Sequence, residues 1–75
     1  MPEIIILCPR LDRERKVAVV KEVTEGFSRA SGIEPGHVTV HIQEHSYDNI
    51  GVGGRVLTDL YPELAERERR ATRGT

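Results

Sequence analysis

The feature that most restricts the fold is a strand–helix–strand order in a chain with one long amphipathic helix. Residues 3–8, Glu-Ile-Ile-Ile-Leu-Cys, form a β-branched apolar run that begins almost at the first residue and stops at Pro9. The run does not alternate, which predicts a strand covered on both faces. Asp12 is a good N-cap, and Val20, Val23, Phe27 and Ala30 follow on one helical face, with Val17 and Val19 widening it. The spacing predicts a helix over 13–31, ended by Gly32 in the left-handed C′ position. Beyond Ile33-Glu34-Pro35-Gly36, Val38, Val40 and Ile42 alternate with Thr39, His41 and Gln43. That period of two predicts a strand with one apolar face.

Such a β-α-β unit closes by a right-handed crossover that leaves its two strands parallel. One helix covers one face of the sheet, and the chain has no second long helix for the other. Another subunit is the simplest cover. Size points the same way, because 75 residues bury little core. Cys8 is the only cysteine, so neither an internal disulfide nor a cysteine-rich zinc site can supply the missing stability. A single cysteine also fits a reducing compartment, where it acts as a small buried hydrophobe.

Downstream, Asp48-Asn49 precedes Gly51-Val52-Gly53-Gly54, a density of Asx and Gly that predicts a tight hairpin. The glycines lack both the third Gly of a dinucleotide fingerprint and the Gly-Lys-Ser/Thr of a P-loop, so no cofactor is expected. Pro62 can open a short helix through Arg70, and the charged ending Glu66 to Thr75 is expected to fray. The expected organisation is one domain over 1–75, with about 61–75 as a C-terminal extension.

Eleven Lys+Arg against twelve Asp+Glu give a net charge of −1. This lacks the basic footprint that nucleic-acid binding relies on. No apolar run approaches the ~20 residues of a membrane span. No basic segment precedes the run 3–8, as a signal peptide would need. The expectation is a cytoplasmic protein with neither nucleic acid nor membrane as partner.

His41-Ile42-Gln43-Glu44-His45 matches H-x-x-E-H, a zinc-protease pattern that works on a helix. Here the flanking residues impose a strand period, which sets the histidines ~13 Å apart. That is too far to share a metal at bonds of ~2 Å, so no metal is expected. Arg10, in the loop after the first strand, is by itself an ordinary surface residue. Beside a pocket, its planar fork would suit a carboxylate. Pro2 follows the initiator Met, which aminopeptidase normally removes before such a residue. The product is a secondary amine. In an apolar site or beside cations its pKa would fall toward neutrality, which suits proton abstraction next to a carbonyl.

Taken in order, Met1-Pro2, the apolar strand, Arg10-Leu11-Asp12 and a helix containing Lys21-Glu22-Val23-Thr24-Glu25 form a recognisable series. An alternating strand ending in Glu44 and the segment Asn49-Ile50-Gly51-Val52-Gly53-Gly54 complete it. The series resembles the 4-oxalocrotonate tautomerase family over about residues 2–60. The resemblance implies an α+β subunit, a β-α-β unit with a C-terminal hairpin. It further implies pairing into a four-stranded sheet and commonly a homohexamer. It implies an isomerase in which Pro2 shuttles a proton on a small unsaturated 2-oxo or 2-hydroxy carboxylic acid. Arg10 resembles the loop arginine that grips the substrate carboxylate. Thr39 stands where well-characterised members carry a second arginine. Ile50 stands where they often place an aromatic residue along the pocket.

Two other functions use the same scaffold. One is hydration or dehalogenation of an unsaturated acid, which needs a carboxylate such as Glu44 to activate water. The other is a non-enzymatic oligomer that only binds a ligand, which the neutral Thr39 and non-aromatic Ile50 favour. A zinc hydrolase built on His41, Glu44 and His45 fails on the geometry above.

Overall fold

A computed structural model describes residues 1–73. Strand β1 (Glu3–Cys8) is followed by helix α1 (Arg13–Ser31) and strand β2 (Thr39–Glu44). The short strands β3 (Gly51–Val52) and β4 (Arg55–Val56) come next, then a single helical turn α2 (Leu57–Leu60) and helix α3 (Glu63–Arg73). β1 and β2 pair in parallel, with Ile4 opposite Val40 and Ile6 opposite Ile42. This is the expected β-α-β unit of an α+β fold.

α1 has the predicted bounds because both ends carry strong signals. Asp12 Oδ1 accepts from the Arg15 N–H at 2.9 Å, satisfying a donor in the first turn. At the other end Gly32 takes φ 78° and returns its N–H to the Ser28 carbonyl, a conformation that costs a residue with a Cβ about 1–2 kcal/mol. The hairpin is equally legible. Gly53 and Gly54, at φ 60° and 86°, form the two-residue turn between antiparallel β3 and β4.

Burial departs from the sequence in two places. β1 reads as apolar on both faces, yet its burial alternates. Ile4, Ile6 and Cys8 are half-buried on the face shared with Val40 and Ile42, while Ile5 and Leu7 are 60% and 67% exposed. On α1 the covered stripe is Val19, Val23 and Phe27, and Val17, Val20 and Ala30 lie outside it. The apolar surface of the helix is wider than two strands can cover.

Among the described residues none is fully buried. The radius of gyration is 15.2 Å, against about 11 Å for a compact domain of this length. The principal extents of 42 × 30 × 15 Å describe a thin layer with one sheet face open. No helix among the described residues is long and apolar enough to cross a membrane.

The expected helix after Pro62 is α3, and it runs past Arg70 to Arg73. Residues 74–75 of the ending expected to fray lie outside the described residues.

Candidate active site

The parallel sheet separates the candidate residues into two groups. Pro2 precedes β1 and is half-buried, and its carbonyl accepts from the Thr39 N–H at 3.0 Å. Pro2 and Thr39 therefore lie together at the N-terminal end of the sheet. Arg10 follows β1 at the opposite end. The six residues of β1 set Pro2 and Arg10 roughly 20 Å apart at ~3.3 Å per residue. A single chain does not bring them into contact.

Ile50 lies past the end of β2, beyond the same end of the sheet as Arg10, but does not line the cleft there. β2 ends at Glu44, paired with Cys8, and the His45 N–H continues the ladder to the Cys8 carbonyl at 3.0 Å. The chain then makes a 3₁₀ turn, Tyr47–Asn49, whose N-cap is Ser46. Ile50 closes that turn through its N–H to the Tyr47 carbonyl at 3.2 Å, and its own carbonyl accepts from the Leu57 N–H at 2.8 Å. The side chain of Ile50 is half-buried.

At this end lies a cleft of about 270 Å³ lined by Arg10, Glu44, His45, Ser46 and Glu68. Clefts beyond the carboxyl ends of parallel strands are a common place for ligands. Two carboxylates flank Arg10, and both are engaged elsewhere. Glu44 Oε2 accepts from the Leu11 N–H at 2.6 Å, and its Oε1 lies 3.1 Å from Lys16 Nζ. The Leu11 N–H, and next the Lys16 ammonium, hold the Glu44 carboxyl below its ordinary range. Glu68 accepts from the Ser46 hydroxyl at 2.9 Å and from the Tyr47 N–H. Arg10 makes no ion pair among the described residues, which leaves its fork open to an anion.

The H-x-x-E-H run lies along β2 and its exit, and not on a helix. Its members turn to separate partners: His41 Nε2 meets Glu3 Oε1 at 2.8 Å on the open sheet face, and Glu44 meets Leu11 and Lys16. Sequence reasoning missed Glu68. It sits in the charged run Glu66-Arg67-Glu68-Arg69-Arg70, which reads as a solvated helix face, and its partners lie 21 and 22 residues earlier.

Comparison with known proteins agrees with this architecture. The tautomerase family model, described as tautomerase enzyme, matches residues 2–60. A crystal structure of DmpI from Archaeoglobus fulgidus is similar at 31% identity and TM-score 0.69, covering 77% of this chain and 100% of that one. DmpI from Helicobacter pylori is similar in fold at 23% identity and TM-score 0.70, covering 81% of this chain and 97% of that one. None of the curated proteins matches. With its β-α-β unit, its glycine hairpin and a family match that begins at Pro2, the chain belongs to the tautomerase family.

Proposed function

We propose that this tautomerase-family chain is an isomerase that converts the enol or dienol of a small 2-hydroxy carboxylic acid into its 2-oxo form. Removal of Met1 frees the Pro2 secondary amine. Its lone pair takes the proton of the enol hydroxyl and returns a proton to carbon. The C–O bond becomes C=O as the C=C bond is lost, so the substrate is rearranged with no net gain or loss of atoms. The observation that carries this reading is the fixed position of Pro2. It stands at the head of the sheet with its carbonyl pinned by the Thr39 N–H, so the adjacent amine is held in place before substrate arrives.

Arg10 grips the substrate carboxylate and Ile50 lines the apolar side of the assembled pocket. Thr39 borders the amine with a neutral hydroxyl. Because Pro2 and Arg10 lie at opposite ends of β1, a complete site takes Pro2 from one copy and the Arg10 cleft from another. A homo-oligomer, with the hexamer as its expected form, would meet this need. It would also cover Ile5 and Leu7 on the open sheet face, each apolar side chain contributing about 1.5–3 kcal/mol when buried.

Hydration on the same scaffold needs a carboxylate free to activate water. Glu44 and Glu68 are near enough to Arg10, but each already accepts hydrogen bonds on both oxygens, which favours isomerisation. The test is the ultraviolet change as phenylenolpyruvate or a 2-hydroxydienoate ketonises. Protein whose intact mass lacks Met1 should accelerate it. Failure of Met1-free, folded oligomer to accelerate any such acid would remove the reading.

A further inference from the structure

We propose that Glu68 is a positioning residue that clamps Ser46 and the 3₁₀ turn after β2 against the Arg10 cleft. The geometry stands by itself, whereas the kinetic consequence rests on the isomerase reading above. The family match ends at residue 60, and the Archaeoglobus structure, matched over its whole length, leaves about a quarter of this chain outside. α3 lies beyond the family-matched segment, and Glu68 reaches back from it to the site.

The clamp uses both oxygens of the carboxylate. Glu68 Oε2 accepts from Ser46 Oγ at 2.9 Å, and Oε1 accepts from the Tyr47 N–H. Ser46 Oγ in turn accepts from the Asp48 N–H at 3.0 Å, so the hydroxyl is used as donor and acceptor at once. The Tyr47 carbonyl then holds the Ile50 N–H at 3.2 Å. An unbroken series of hydrogen bonds leads from Glu68 through the 3₁₀ turn to Ile50. Such a turn is weak alone, because its i→i+3 bonds are poorly aligned and its first N–H groups have no partner within it. Glu68 supplies the partner for Tyr47.

Glu68 also borders the cleft that Arg10 lines. Left free, a carboxylate there would compete with a substrate carboxylate for the guanidinium. With both oxygens committed to the loop it is kept off Arg10, and it is not available as a base. Its role is therefore to set the shape of the cleft.

The experiment compares Glu68→Ala and Glu68→Gln with the wild type in the full, Met1-free chain. Amide hydrogen exchange at Tyr47 and Ile50 is read by NMR, and kcat and KM are measured with phenylenolpyruvate. Glu68→Ala should speed exchange at Tyr47 and raise KM about tenfold, the effect of one lost charged hydrogen bond, while kcat stays within about twofold. Glu68→Gln keeps an oxygen for the Tyr47 N–H and should recover most of both. Ser46→Ala, which removes the other half of the clamp, should move the same amides in the same direction. Unchanged exchange at Tyr47 in Glu68→Ala overturns the clamp. Faster exchange with unchanged KM overturns its role at the cleft, and so does a Gln variant as impaired as Ala, since charge and not position would then be at work. If the wild type turns over no enol acid, the isomerase reading fails, and the exchange measurement still decides whether Glu68 holds the loop.

Discussion

The N–H of Leu11 donates to Glu44 Oε2 at 2.6 Å, across 33 residues of sequence. The bond joins the end of β2 to the residue next to Arg10. Lys16, one turn into α1, meets the other oxygen of the same carboxylate at 3.1 Å. Glu44 therefore fixes the loop that presents Arg10 to the cleft.

This relationship sets a pH dependence. The Leu11 N–H and then Lys16 hold the Glu44 carboxyl low in the folded chain. A depressed carboxyl adds stability above its unfolded value, and that stability is lost as pH falls through the folded value. Glu44→Gln should thus be less stable than wild type at pH 7, by an amount that is constant down to about pH 5. The gap should narrow below about 4.3, the ordinary glutamate value. Because the pair faces solvent, added salt should shrink the gap. Urea denaturation at pH 7 and pH 3, at low and high salt, checks all three signs. A gap that widens in acid would contradict the assignment.

Arg10→Ala should raise KM for an enol acid by the equivalent of about 1.5–3 kcal/mol, the usual contribution of a hydrogen bond to a charged group. Arg10 is exposed, so the fold should be unaffected. Steady-state kinetics with circular dichroism as a control measures both. Unchanged kinetics on a confirmed substrate would return Arg10 to the solvated surface.

Leu7→Glu should dissociate the assembly. Leu7 and Ile5 are the exposed apolar residues of the open sheet face, and a buried unpaired carboxylate there would be strongly unfavourable. Sedimentation velocity of the wild type at micromolar concentration should give an oligomer, with a hexamer expected, and the variant should give smaller or unfolded species. A wild type that sediments as a stable folded monomer would defeat the prediction.

Much of the β-α-β unit was legible because its signals are local. Asp12 and Gly32 mark α1 to the residue, and the Val38–Ile42 alternation places β2, which begins at Thr39. Gly53-Gly54 places the hairpin turn. Burial was less legible. The run Ile4-Ile5-Ile6-Leu7 carries the same hydropathy on both faces, and nothing within one chain covers the Ile5/Leu7 side. The periodicity predicts a stripe of Val20, Val23, Phe27 and Ala30 widened by Val17 and Val19, and the sheet selects Val19, Val23 and Phe27 from it because apolar residues extend around too much of α1. The sequence names candidate site residues but not how the fold distributes them. Pro2 and Arg10 are eight positions apart in sequence, and an extended strand between them turns that into opposite ends of the sheet. Glu68 could not be read at all, since a carboxylate on a charged helix face carries no mark of a clamp on Ser46 and Tyr47.

Whether Pro2 can be the base turns on one covalent fact. While Met1 is attached, the Pro2 nitrogen is a tertiary amide without a basic lone pair. Once Met1 is gone it is a secondary amine next to a pinned carbonyl. To act near pH 7 the amine must be partly neutral, which requires a lowered pKa from an apolar wall or a neighbouring cation. Arg10 of the same chain is too far away to be that cation, and the proposed assembly would supply it from a second copy. Activity and assembly should therefore fall together in Leu7→Glu, even with Pro2 intact. Pro2→Ala leaves a primary amine in nearly the same place and should retain some turnover, whereas retained Met1 or an acylated N-terminus should abolish it. Intact mass paired with the ketonisation rate separates these cases. Full activity from an oligomer whose N-terminus is verifiably blocked would mean that another group carries the proton.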